Sequence, residues 1–237
     1  MEEVDIKNAK SAHSMAIFLH SFDDHLNDNE LPISHLALLL RSQAWMMMHN
    51  ALNSLAEGVS EGKQIVDRFI NDYYYGINRL QDVESLDGYC DLFRKQMATG
   101  LIAPVLITQK MGNDEEFSDV VQNAFGSFGI AWRLLDDIKD IETDMMKGNH
   151  SSIYVCLPEE IKRWWDKDTG EKIDKNSGFA EAILDSVAEN DVIKRIKERI
   201  CSELESAAFI ADDCHITGLA NEFRCLLTPL KNGRDYV

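Results

Sequence analysis

Apolar positions recur along this chain with the period of an α-helix. In the first segment Met15, Phe18, Leu19, Phe22 and Leu26 fall on one helical face, and Asn29-Glu30-Leu31-Pro32 ends the pattern. A second helix is expected over His35 to Glu57 with Gly58 as its stop, and a third over about Lys63 to Leu80. Tyr89 to Lys110 reads as a fourth, kinked at Pro104 and closed by Gly112. A fifth runs from about Glu115 to Met146 and stops at Lys147-Gly148-Asn149. Its Val120, Val121, Ala124, Phe125, Phe128, Ile130, Ala131, Trp132, Leu134 and Leu135 point in nearly every direction, which predicts a buried helix. Pro158 to Phe179 is polar and reads as a connection with a short helix near Glu159 to Trp165. Helices over Asp191 to Asp212 and Gly218 to Leu230 follow. No repeat, low-complexity tract or strand pattern is present, so the expectation is a single all-α domain over residues 1–237.

Composition narrows the partners. The 237 residues carry 24 Lys+Arg against 41 Asp+Glu, a formal net charge of −17. That balance argues against nucleic acid, whose phosphates are neutralised by basic groups, and against docking on an anionic membrane. It leaves room for a phosphate-bearing ligand bridged by metal ions. With 45% hydrophobic residues the chain can bury a core, while 13 Gly and 4 Pro favour long helices. The five cysteines, Cys90, Cys156, Cys201, Cys214 and Cys225, form no CxxC pair or zinc spacing and read as free thiols of a reducing cytoplasm. No basic-then-apolar leader opens the chain, and its apolar runs are too short to span a bilayer.

Two acidic clusters carry the candidate chemistry. The first is Asp23, Asp24 and Asp28, the last two one turn apart. In the second, Asp136, Asp140 and Asp144 stand at i, i+4 and i+8 with Asp137 beside them, within a helical sector of roughly 100°. Like charges at that spacing destabilise a helix by a few tenths of a kcal/mol per pair, so roughly that cost needs an offset. A solvated face is one explanation. The other is a cation, and all-oxygen donors suit Mg²⁺ or Mn²⁺ held together with substrate phosphates. The seven histidines form no HxxxH pair, and no Ser-His-Asp set, Walker loop or GxGxxG is evident.

These motifs resemble the class I isoprenoid synthases, and among them the trans-prenyltransferases. Asp23-Asp24-x-x-x-Asp28 resembles the first aspartate-rich motif, with Pro32 and His35 after it. Lys95-Gln96 resembles a diphosphate-binding Lys-Thr pair. Gly129 to Asp140 resembles the helix entering the second motif, and Lys147 the lysine that follows it. The resemblance covers roughly Ala16 to Asn232. It departs in three places. The helices that usually precede the first motif, with their Gly-Gly-Lys-Arg segment, are missing from this sequence; Asn29-Glu30-Leu31 replaces Arg-Arg-Gly; and Arg133 stands where Gln is common. These changes weaken the site for isopentenyl diphosphate.

The resemblance implies an isoprenoid-synthase-like helical bundle around a central cavity. It implies ionisation of an allylic prenyl diphosphate and its condensation with isopentenyl diphosphate. Mg²⁺ (or Mn²⁺) would be held by Asp23, Asp24, Asp28, Asp136, Asp137, Asp140 and Asp144. Lys95, Gln96, Arg133 and Lys147 would bind the diphosphate, with Arg41 and Arg234 as weaker candidates. Asp23, Asp24, Asp136, Asp137 and Lys95 would be catalytic, and Phe18 and Phe22 would line the prenyl pocket. Family members are usually homodimers. Terpene cyclases share the i, i+4, i+8 arrangement with Asn/Asp, Ser/Thr and Glu. Asp140 to Asp144 with Tyr154 and Leu157-Pro158 also resembles squalene and phytoene synthases. A non-catalytic subunit of a prenyl synthase and an acidic interaction bundle are the remaining readings.

Overall fold

Small residues set the inner face of the first helix. The computed structural model describes residues 1–27, 31–78, 83–112, 115–166 and 178–231. In chain order its helices are α1 (Glu3–Asn27), α2 (His35–Ala56), α3 (Gly62–Ile77), α4 (Leu86–Gln96), α5 (Ala98–Lys110), α6 (Glu115–Lys139), α7 (Ile141–Lys147), α8 (Ser152–Cys156), α9 (Glu159–Trp165), α10 (Gly178–Glu189), α11 (Val192–Asp213) and α12 (Thr217–Lys231). Among the described residues no strand occurs, and no helix is long and apolar enough to cross a membrane. The five cysteines are free thiols.

The chain divides into two compact units, Met1–Ile77 with Lys95–Gly126 and Asn78–Arg94 with Ser127–Val237. In the first, α1 packs on α2 and α5, and α3 packs on α2 and α5. Ala12, Ala16 and Leu19 of α1 are buried against Ala44, Met48, Leu52, Phe69, Ile102 and Leu106. Phe18, expected in that stripe, is 39% exposed and stacks on Phe22 instead. Alanines let neighbouring helices approach closely, and the contact rotates toward them. Helix α2 opens on Ser34, whose Oγ accepts the Ala37 N–H at 3.1 Å, and closes at Gly58 with φ +80°. Its inner face buries Met48 and Leu52, while Met46 and Met47 are exposed.

In the second unit α11 is the central helix. It packs along α12, with α8 and α10 on it and α9 on α10. Ile196, Ile200 and Leu204 of α11 are fully buried at helical spacing. The buried Glu203 on the same helix accepts from both Arg94 and Arg199, which ties α4 to α11.

Several boundaries differ from the periodic reading. The expected long fourth helix is two helices, and it divides at Met97 rather than at Pro104. Thr99 and Gly100 are weak helix formers, and the Gly100 N–H turns back three residues to the Met97 carbonyl at 2.9 Å. Pro104 lies within α5 and has no N–H for the Gly100 carbonyl; His13 Nδ1 donates to that oxygen at 3.1 Å. The fifth helix divides at Asp140, although Asp140 and Asp144 both donate N–H bonds four residues back at 2.9 Å. Nor is α6 buried all round, since Trp132 is 66% exposed. Helix α9 falls where expected, whereas α8 and α10 are additional.

Candidate active site

The first acidic motif closes α1 in the first unit. Asp23 is gripped from two sides. Arg41 of α2 donates Nε to Oδ1 at 2.6 Å and a terminal N–H to Oδ2 at 2.8 Å, a forked ion pair. Tyr73 of α3 donates its hydroxyl to Oδ2 at 3.1 Å. Hydrogen bonding to Asp23 holds Arg41 more firmly protonated than usual. Burial first, then the Asp23 charge, pushes the Tyr73 phenol far above its ordinary range, so it stays a donor. Tyr73 and Tyr74 both pack on Trp45, and Arg41 lies over the Trp45 ring. Asp24 is exposed, and Asp28 lies outside the described residues.

Lys95 and Gln96 end α4 against the last turn of α3. The Lys95 ammonium lies 4.1 Å from the Tyr75 ring centroid, and Gln96 Nε2 donates to the Gly76 carbonyl at 3.3 Å. Gly76 permits this approach, because a Cβ there would sit 2.8 Å from the Gln96 backbone nitrogen.

The second motif spans α6 and α7 in the second unit, and its aspartates have separate fates. Asp137 turns inward and is 2% exposed. Arg133 Nε lies 3.0 Å from its Oδ1, and the Ser152 N–H donates to Oδ2 at 2.9 Å. Arg133 Nε also donates to the Tyr89 hydroxyl at 3.0 Å, while its guanidinium lies 5.6 Å from the Phe93 ring. Burial, then the Asp137 charge, holds Tyr89 protonated. Arg133 was a diphosphate candidate in sequence; in the structure it is engaged by Asp137 and Tyr89.

Asp136, Asp140 and Asp144 are partly exposed. Asp136 is a weaker acid than usual, by burial and then by repulsion from Asp140. Asp144 is pushed up to about 6 by burial and then by the Asp137 charge, against the opposing bond from Asn149 Nδ2 at 3.3 Å. Burial and neighbouring carboxylates disfavour the ionised form of both groups, a cost that a bound cation would offset, and all-oxygen donors are the ligand type that suits Mg²⁺. Both Asp23 oxygens accept hydrogen bonds from the protein, while Asp137 Oδ2 accepts the Ser152 N–H and its Oδ1 faces Arg133 Nε at 3.0 Å. Among the described residues no three His, Cys, Asp or Glu side chains form a ready metal-holding group.

Helix α7 stops at Gly148, φ +73°, with the Asn149 N–H donating to the Asp144 carbonyl at 2.9 Å; Lys147 is exposed in its last turn. The following segment is pinned by aromatic contacts. Trp165 Nε1 donates to the Asn149 carbonyl at 3.2 Å, the Tyr154 hydroxyl donates to Asp166 at 2.6 Å, and His150 stacks on Tyr154. Sequence reasoning passed over Tyr73, and took Tyr89 only as part of the helix leading to Lys95-Gln96 and Asn149 only as part of a helix stop. Tyr73 lies 50 positions from Asp23 and Tyr89 lies 44 from Arg133, so no local pattern links them.

The all-α fold is like that of a prenyl pyrophosphate synthase. The chain superimposes on the apo form of an Arabidopsis medium/long-chain length prenyl pyrophosphate synthase with a TM-score of 0.73. The match covers 98% of this chain and 83% of that one, at 15% sequence identity. No protein-family profile matches the sequence, and no curated protein matches it.

Proposed function

We propose that the protein is a Mg²⁺-dependent prenyltransferase that ionises an allylic prenyl diphosphate and condenses it with isopentenyl diphosphate. The observation that carries this reading is the Asp136, Asp140 and Asp144 set. On this fold it presents carboxylates of which Asp136 and Asp144 are raised in pKa by burial and by neighbouring charge. Asp24 in the first unit and Asp136, Asp140 and Asp144 in the second are the candidate ligands of Mg²⁺, which when bound would supply Lewis-acid polarisation of the leaving diphosphate oxygens. Lys95, with Gln96 beside it, in the first unit and Lys147 in the second are the candidate diphosphate contacts, through charge-assisted hydrogen bonds. Phe18 and Phe22, one turn apart and just ahead of Asp23, would form an apolar surface suited to a prenyl tail.

The chain would act as one synthase domain over residues 1–237, in a reducing cytoplasm that suits its free thiols. It would form a homodimer. Exposed Leu36, Leu39, Leu40, Met46 and Met47 on α2 support that, because a water-facing apolar row of this size is unusual for a monomer. A second reading is a class I terpene cyclase working on the allylic substrate alone. It is favoured by Asn29-Glu30-Leu31 standing where the family has its basic segment.

The test is incubation with Mg²⁺ and allylic diphosphates of increasing chain length, with and without isopentenyl diphosphate, followed by product analysis. Elongation only when isopentenyl diphosphate is present supports the prenyltransferase. A hydrocarbon or alcohol from the allylic substrate alone supports the cyclase. Absence of turnover and of diphosphate release overturns both and leaves a non-catalytic subunit.

A further inference from the structure

Each acidic motif already contains a cation of its own. At Asp23 it is Arg41, forked across both carboxylate oxygens with Tyr73 completing the set. At Asp137 it is Arg133, whose Nε is shared with Tyr89 while the Ser152 N–H takes the other oxygen. Each site joins a carboxylate, a guanidinium and a tyrosine: at Asp23 the three come from α1, α2 and α3, and at Asp137 the acid and the arginine share α6 while Tyr89 comes from α4. The two carboxylates are 16% and 2% exposed, so water screens neither pair well. A divalent ion at either aspartate would have to expel a guanidinium from oxygens already filled by hydrogen bonds. The remaining aspartates of the second motif differ. Asp144 accepts from the neutral Asn149 amide, and the Lys139 ammonium stays 4.0 Å from Asp136.

We propose that Arg41 and Arg133 are built-in counter-cations that withdraw Asp23 and Asp137 from the metal-ligand set. The two aspartates become positioning residues. Asp23 ties α1 to α2 and α3, and Asp137 ties α6 to α8 and, through Arg133, to α4. Divalent-cation binding in the second motif falls to Asp136, Asp140 and Asp144, and in the first motif, in the other unit, Asp24 is left as the candidate ligand. This inference rests on the Mg²⁺ reading above, and departs from the motif pattern, in which every aspartate counts as a ligand.

Mn²⁺ binding to the whole chain, followed by electron paramagnetic resonance with helical content checked by circular dichroism, tests it without an activity assay. Asp137→Asn is expected to leave Mn²⁺ affinity within about twofold of wild type, whereas Asp140→Asn weakens it by about tenfold or more, as expected of a true ligand. Arg133→Gln releases the Asp137 charge and tightens Mn²⁺ by about tenfold, and adding Asp137→Asn to it cancels the gain. Arg41→Gln, at a more exposed pair, moves affinity in the same direction and carries the test if Arg133→Gln does not fold. Mn²⁺ binding by both arginine variants but not by wild type supports the counter-cation role and overturns metal dependence of the native protein. Equal losses in Asp137→Asn and Asp140→Asn, or no tightening in either arginine variant, overturns the inference.

Discussion

Arg133 and Asp137 stand one turn apart on α6, with Nε 3.0 Å from Oδ1 and the carboxylate sealed from water. The pair turns one member of the DDxxD motif into a joint between helices. Removing the acid takes away the carboxylate facing Arg133, whose Nε then has the Tyr89 hydroxyl, and frees the Ser152 N–H inside the protein. Asp137→Ala should therefore cost about 3 kcal/mol of stability, as for other buried pairs that lose one partner. Urea unfolding measures it; a loss no larger than at an exposed aspartate would refute the joint.

Asp144 sets a pH dependence. Its folded-state pKa is about 6, above the unfolded carboxylate value, so the native state holds the proton more tightly. Its stabilising contribution is complete below about pH 4 and disappears as the pH rises through about 6. In metal-free buffer, Asp144→Asn should flatten that part of the stability curve. At pH 7 it should raise stability by about 1 kcal/mol, discounted for partial exposure. Thermal melts of the two proteins from pH 4 to 8 make the comparison, and parallel curves would contradict it.

Gly76 is where α3 meets the end of α4. A Cβ at this position would lie 2.8 Å from a backbone nitrogen, which cannot rotate away as a side chain could. Gly76→Ala should destabilise by about 1–3 kcal/mol, as overpacking does. It should also disturb Lys95 and Gln96, which on the proposed function would read out as a higher KM for the allylic diphosphate. A fully stable variant would mean that α3 and α4 part easily.

His13 replaces the hydrogen bond that Pro104 cannot make to the Gly100 carbonyl. Because the site is exposed, His13→Ala should cost no more than about 1 kcal/mol. Pro104→Ala in the same background restores an N–H donor and should recover most of that loss. A double-mutant cycle in chemical denaturant reads the coupling.

Asp140→Ala should lower turnover by about a hundredfold or more if this carboxylate holds the metal. Released diphosphate is the readout. Retention of wild-type rate would remove Asp140 from the site.

The all-α architecture was legible from periodicity alone, because burying one face of a helix leaves a 3.6-residue signature in any tertiary setting. The acidic motifs were legible for a related reason: aspartates at i, i+4 and i+8 share a face wherever the helix lies. Helix ends followed where local chemistry decides them, as at Ser34, Gly58 and Gly148. Breaks at Met97 and Asp140 did not, because the apolar period continues through both, over Phe93, Met97 and Leu101 and over Ile138, Ile141 and Met145.

Partner choice belonged to the tertiary structure. Composition placed Arg41, Tyr73, Tyr89 and Arg133 in the chain but could not say which of them would meet an aspartate. Asp23 and Asp24 are adjacent and identical in type; packing of α2 and α3 gives Asp23 a guanidinium and a phenol and leaves Asp24 exposed. Asp136 and Asp137 divide likewise, one partly exposed and one buried against Ser152. A helix turns neighbouring side chains about 100° apart, so adjacent residues face different surroundings. The acid was written in the sequence, and the cation that meets each acid was decided by the fold.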